Sequence, residues 1–243
     1  VKLRYALLSD IHGNLAALDA VLADLADWPE ATMLELGDTL YGPLDPRGTW
    51  LRLLEESESR RVIGINGNQD REVIARLPSA TMDYVHEQLG SVGVEWLRRR
   101  PANVLVDNLV YICHGKPGDD GRYWLEDLDA GLRALGDINA DAAGIAAEVL
   151  VCGHSHIPRA ITLPDGRMII NPGSVGLPAF RDQHPTHAMQ TGAPLARYAR
   201  IEATDRGWLI DHRAIPYDHE LAVEQALDRD RLDWAQWLSS GWA

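Results

Sequence analysis

Two aspartates, one asparagine and four histidines stand where they could do chemistry: Asp10, His12, Asp38, Asn68, His114, His154 and His156. Each follows shortly after a brief apolar run. Carboxylate and imidazole together favour intermediate divalent ions such as Mn, Fe, Co, Ni or Zn over an oxygen-only cage for Mg or Ca. Seven donors are too many for one catalytic ion and suit two ions that share a bridging carboxylate. Alone, each piece has a plain structural reading. Asp10-Ile11-His12 could be a turn, Gly37-Asp38 and Gly67-Asn68 punctuation, and Gly153-His154-Ser155-His156 a surface pair. Five such pieces in order, each directly after an apolar run, point instead to one constructed site.

The elements that would position them follow from hydrophobic periodicity. Tyr5 to Leu8, Met33 to Leu36 and Val62 to Ile65 read as buried strands. Leu15, Leu18, Val21, Leu22 and Leu25 recur at helical spacing behind Asn14, an N-cap residue type, and Trp28-Pro29 closes that helix. Thr49 to Glu56 reads as a second helix. Strand–helix alternation predicts a βαβ organisation with a largely parallel sheet. The second half is richer in hairpins, turning at Asp107-Asn108, Pro164-Asp165-Gly166 and Asp205-Arg206-Gly207, with a further strand over Glu148 to Cys152. With no linker, charge block or repeat in view, we expect a single domain over 1–243, built of two packed sheets with helices outside. A helical tail over about 218–243, carrying Leu227, Trp234, Trp237 and Leu238, should dock on the core. In open α/β sheets ligands bind beyond the carboxyl ends of strands, where these seven residues fall.

Composition narrows the classes. The chain has 243 residues, 46% hydrophobic and 24% charged, with a formal net charge of −13. That composition is globular and excludes disordered, collagenous and low-complexity chains. No apolar run approaches the roughly 18 residues of a membrane span, and Val1 to Leu8 enters the first motif too soon for a signal peptide. Cys113 and Cys152 are too few for a disulfide scaffold, so a cytoplasmic setting with buried, inert thiols is expected. The acidic balance argues against non-specific binding to nucleic acid or membrane. For an anionic substrate it demands local positive charge, which two divalent ions would supply.

The same residues resemble the calcineurin-like metallophosphoesterases. That family's pattern is D-x-H, G-D, G-N-H-[DE], a later H, and G-H-x-H. Here it stands as Asp10-Ile11-His12, Gly37-Asp38, Gly67-Asn68-Gln69-Asp70, His114 and Gly153-His154-Ser155-His156, a match from Leu7 to about Gly176. Ser9 to Asn14, Tyr41-Gly42-Pro43 and Asn171 to Gly176 resemble the small bacterial and archaeal phosphodiesterase subgroup. The resemblance implies a four-layer α/β/β/α sandwich of two mixed sheets. It implies two divalent transition-metal ions, manganese foremost with iron, zinc, nickel or cobalt as alternatives. Asp10, His12 and His156 would hold one ion, Asn68, His114 and His154 the other, and Asp38 would bridge. A hydroxide between the ions would attack the phosphorus of a small phosphorylated substrate, opening a phosphodiester or nucleotide-type bond.

One departure matters. Gln69 occupies the position of the histidine that usually protonates the leaving group, and a carboxamide is no general acid at neutral pH. Good leaving groups, such as activated aryl esters or phosphoanhydrides, should therefore be preferred. His184 or His187 could supply the missing acid, although solvated loop histidines are the simpler expectation. Arg181 could clamp a phosphate or form a surface ion pair. Asn14 could touch substrate or only cap its helix, and Tyr41 could line the cleft or pack beside it. His86, His212 and His219 read as peripheral, and Arg98-Arg99-Arg100 as the cationic end of a helix. Two other functions share the ligand pattern. A protein Ser/Thr phosphatase typically shows G-D-x-x-D-R-G, where this chain reads Gly37-Asp38-Thr39-Leu40-Tyr41-Gly42-Pro43. A non-catalytic binding scaffold of the same fold, as in the retromer's scaffold subunit, would not need all seven ligand positions to be competent.

Overall fold

The computed structural model describes residues 3–243; Val1 and Lys2, where the reading on a leader segment starts, lie outside the described residues. In chain order the first half runs β1 (Arg4–Leu8), α1 (Leu15–Asp24), β2 (Thr32–Glu35), α2 (Pro46–Ser59), β3 (Val62–Gly64), α3 (Asn68–Ala75) and α4 (Ala80–Arg98). The second half runs β4 (Asn103–Val106), β5 (Val110–Cys113), β6 (Glu126–Asp127), β7 (Gly131–Leu132), α5 (Leu135–Asp141), β8 (Val149–Val151), β9 (Arg159–Thr162) and β10 (Met168–Asn171). It ends with β11 (Ala179–Gln183), β12 (Thr186–Gln190), β13 (Ala196–Thr204), β14 (Gly207–Ile215), α6 (His219–Leu227) and α7 (Leu232–Ser240).

Two mixed five-stranded sheets result, ordered β14-β13-β1-β2-β3 and β4-β5-β8-β10-β9. Each contains a parallel trio, β1, β2 and β3 reaching one edge of the first sheet and β5, β8 and β10 at the middle of the second, with antiparallel strands completing both. The period-two geometry of a strand explains the layers. In β1, Tyr5 and Leu7 point between the sheets, where they meet Val149 and Val151 of β8 and Ile170 of β10. Their neighbours Ala6 and Leu8 point the other way, onto Leu18, Val21 and Leu22 of α1. Leu150 and Ile169 likewise face outward against Ile138 of α5. Both faces of the central strands are thus covered, which is why they read as unbroken apolar runs. The layers are helices, sheet, sheet and helix.

The structure adds to the sequence reading in four places. α2 starts at Pro46 rather than Thr49, because Asp45 caps it by accepting from the Gly48 N–H at 2.7 Å. The segment with Arg181, His184 and His187 forms the β11–β12 hairpin. The tail is a pair of helices, with Trp234 and Leu238 packed against Leu44 and Leu177 while Leu227 stays exposed. His86 is half-buried, its Nε2 bonding the Val73 carbonyl at 2.8 Å and tying α4 to α3.

Candidate metal centre

The parallel trios set the geometry. All their carboxyl ends lie at one edge of each sheet, and the loops beyond them carry the candidate ligands. Asp10 and His12 follow β1, and Asp38 follows β2. Asn68 opens α3 just after β3, His114 follows β5, and His154 and His156 follow β8. The loops are laced together by backbone hydrogen bonds, Asp10 N–H to Gly37 O at 3.0 Å, His12 N–H to Asp38 O at 2.9 Å and Gly153 N–H to His114 O at 2.7 Å. Asn171, at the end of β10, donates to the Gly153 carbonyl at 2.8 Å, and Ser174 donates to the Asp10 carbonyl at 2.8 Å. The Asn171 to Gly176 stretch therefore braces two ligand loops.

Crowding at these loops is severe. A β-carbon on Gly153 would lie 1.9 Å from Ser9 Oγ, and one on Gly67 would lie 2.3 Å from Asp38 Oδ1. Asp10, His12, Asp38, His154 and His156 all have φ between 53° and 65°. That left-handed region is disfavoured for residues with a side chain, and such strain persists only where the surroundings enforce it.

Two groups of donors converge. The ligand atoms of Asp10, His12 and His156 lie within 4.8 Å of one another, as do those of Asp38, His114 and His154. The hydrogen bonds fix which ring nitrogen is free. His12, His114 and His156 each donate Nδ1–H to a carbonyl, Tyr41 O at 3.0 Å, Leu36 O at 2.8 Å and Leu177 O at 2.7 Å. Their Nε2 lone pairs then point inward. His12 Nε2 and His156 Nε2 stand 3.3 Å apart. His114 Nε2 stands 3.1 Å from Asn68 Oδ1 and 3.3 Å from Asp38 Oδ2. Asp10 Oδ1, fully buried, has no hydrogen-bond donor, yet lies 3.2 Å from His156 Nε2 and 3.9 Å from both His12 Nε2 and His114 Nε2. Acceptors facing acceptors in a buried site repel unless positive charge, a proton on a ring nitrogen or a metal cation, sits between them. This donor set fits a pair of divalent cations, which would give that oxygen and those lone pairs their partner.

The electrostatics agree. Burial would raise the Asp10 and Asp38 carboxyls, but His156 beside the first and His114 beside the second hold both below the usual carboxylate range. Burial would lower His114, and the Asp38 and Asp10 charges instead push it up to about 10. His154 is pushed down to about 4 by burial and by His114. Asp70, buried beneath the centre, is pushed up to about 7 by burial and the Asp38 charge. The buried carboxylates thus draw positive charge to the centre, from the His114 imidazole or from a cation.

A cleft of about 410 Å³ opens on the centre. His12, Asp38, Asn68, His154 and His156 reach it, as do Gln69, Tyr41, Arg181 and His184. Gln69 donates its backbone N–H to Asp38 Oδ1 at 2.8 Å. Tyr41 both lines the cleft and packs against the helices behind it. Arg181 has no ion pair among the described residues, so it is not the surface pair that was one of its two expected roles. His184 is exposed to solvent, as expected, and stands on the cleft lip. His187 is half-buried, its Nε2 accepting from Tyr123 Oη at 2.7 Å. Asn14 takes the capping role, one of its two expected readings. Fully buried, it caps α1 by accepting from Ala17 N–H and donates to Gly176 O at 2.8 Å and Tyr217 Oη at 3.2 Å. Its side chain is committed and does not line the cleft. The free thiols of Cys113 and Cys152 are buried, and burial raises both.

Sequence reasoning missed the other wall. Arg231, Trp234 and Trp237 of the tail line the cleft with Phe180. The Trp234 ring stands edge-on to His12 at 5.7 Å and Phe180 edge-on to His156 at 4.6 Å. Tyr123 lies 4.8 Å from the ring of His154. The tryptophan spacing within the tail was the available signal, and it read as packing alone.

The same architecture recurs in solved structures. A metallophosphoesterase from Sphaerobacter thermophilus superposes with a TM-score of 0.77 at 22% identity, covering 99% of this chain and 100% of its own. A hypothetical protein from Pyrococcus horikoshii superposes at 0.75 with 21% identity and 98% coverage of both. An uncharacterized protein of Methanocaldococcus jannaschii is 24% identical over 265 residues, covering 96% of both chains. Residues 3–192, a stretch that holds all seven convergent donors, match the calcineurin-like phosphoesterase superfamily domain, and the chain belongs to that superfamily.

Proposed function

We propose that this chain, folded as one domain with its tail, hydrolyses phosphodiester or nucleotide-type phosphate bonds with two divalent metal ions, manganese foremost. The observation that carries this reading is the inward-facing set of acceptors, above all the buried, donorless Asp10 Oδ1. Asp10, His12 and His156 would hold one ion and Asn68, His114 and His154 the other. Asp38 would serve both, since its carboxylate acts on His114 and on His12. When bound, such ions supply a nucleophile at neutral pH and offset the charge of a phosphate. The chain's own residues do the rest. The carbonyls of Tyr41, Leu36 and Leu177 lock three imidazoles in the tautomer that leaves Nε2 free. Arg181, unpaired among the described residues on the cleft wall, offers a guanidinium to a phosphate oxygen. Gln69 can hydrogen-bond the leaving oxygen but cannot protonate it.

Metal analysis joined to a panel of monoesters, diesters, cyclic nucleotides and dinucleoside polyphosphates tests this. About two transition ions per chain are expected. Turnover should be lost to a chelator and restored by manganese, and Asp38→Ala should lower it by ~10²-fold or more. A metal-free, inert protein that binds a stable partner would instead support the scaffold reading.

A further inference from the structure

The superfamily match ends at residue 192, yet α7, forty residues later, lines the cleft. Trp234 is the fixed part of this wall. It is 3% exposed, with Arg231 over its ring at 5.4 Å, and a β-carbon on Gly42 would lie 3.0 Å from it. Arg231 is itself anchored by Asp233, through two contacts of 2.8 Å, and by Thr81. Trp237, one turn on at 6.3 Å from Trp234, is only half-buried and reaches the same cleft. Phe180 lines it too, against His156. Trp234 is held in the core of the tail, but the half-buried Trp237 and Phe180 leave indole and phenyl surface on a cleft otherwise lined by charged and polar groups, and such surface suits a flat apolar group. The volume, about 410 Å³, lies within the roughly 300–1,000 Å³ usual for small-molecule sites. Where the ring is itself the leaving group, Gln69 gives a second reason, because without an acid the site needs a leaving group that is already a weak base, and aryl oxygens are such groups.

We propose that α7 completes a subsite for a flat aromatic group carried by the phosphoester, with Trp237 as its stacking face, Trp234 and Phe180 as its floor and far wall, and Arg181 on the phosphate side. The assignment rests on the phosphoesterase reading above, and its test is separable from it. Non-hydrolysable phosphonates are titrated into the manganese-loaded full chain by calorimetry. Phenylphosphonate and the 5′-phosphonate isostere of AMP should bind about tenfold more tightly than methylphosphonate. They should also quench tryptophan emission, which methylphosphonate should not. Trp237→Leu should erase the preference and Trp237→Phe keep most of it, with melting curves confirming that both variants fold. Preference for both ring ligands assigns the subsite to any aryl group, and preference for the adenosine compound alone assigns it to a nucleobase. Equal binding of all three ligands to the wild type, or a preference that survives Trp237→Leu, overturns the proposal. If hydrolysis fails while the ring preference holds, the phosphoesterase reading falls and the subsite stands.

Discussion

Gln69 sits one residue after a candidate ligand, its backbone tied to Asp38 and its side chain on the cleft. The position is right for an acid and the chemistry is not. General-acid help is typically worth 10²–10⁴-fold, or about 3–5 kcal/mol of barrier. Gln69→His should therefore speed hydrolysis of alkyl esters by ~10²-fold or more and change aryl esters little. A plot of log kcat/KM against leaving-group pKa should be shallower for the variant, and parallel plots would count against this role. The neighbouring strain has the same local origin. Five candidate ligands take left-handed φ because their loops turn sharply at strand ends while other loops hold them from outside.

At the scale of elements, a buried support lies under the Gly37-Asp38 loop. Glu35, the last residue of β2, accepts from the Gly37 N–H at 3.1 Å and from Thr39 Oγ1 at 3.0 Å. Arg100, just past α4, pairs with Glu35 and donates to Thr39 Oγ1 at 2.8 Å. The Arg98 to Arg100 run is thus divided. Arg98 and Arg99 pair with Glu95 on the surface, while Arg100 turns inward. Removing one member of a buried ion pair leaves an uncompensated charge and costs about 3–5 kcal/mol. Arg100→Ala should lose that much in urea unfolding, whereas Arg98→Ala should lose no more than about 1 kcal/mol. Activity should fall with Arg100→Ala as well, because the loop that carries Asp38 rests on this pair. Equal stabilities of the two variants would remove Arg100 from this role.

For the whole molecule, the notable balance is between a net charge of −13 and a centre that gathers two of those carboxylates, Asp10 and Asp38, in the buried interior. Cations bound there stabilise the folded chain by mass action, about 2.7 kcal/mol for an ion at one hundred times its Kd. For a chain of this size that corresponds to a rise in Tm of about 5–11 °C with manganese, reversed by a chelator. Asp10→Asn should abolish most of that rise, and an unchanged melting curve with manganese would deny the centre its cations. The sequence by itself determined the central strands, the α1 cap, the turns and the seven candidate ligands. Those signals are local: apolar runs, a capping asparagine, turn dipeptides, and short motifs at the ends of strands. Only the tertiary structure decided that the ligand loops share one edge of two packed sheets, that Asn14 also braces the Gly176 loop, and that Arg100 turns inward onto Glu35. It alone brought Trp234 and Trp237 to a cleft whose other walls come from residues between His12 and His184, because no periodicity in a helix records which distant surface its side chains will meet.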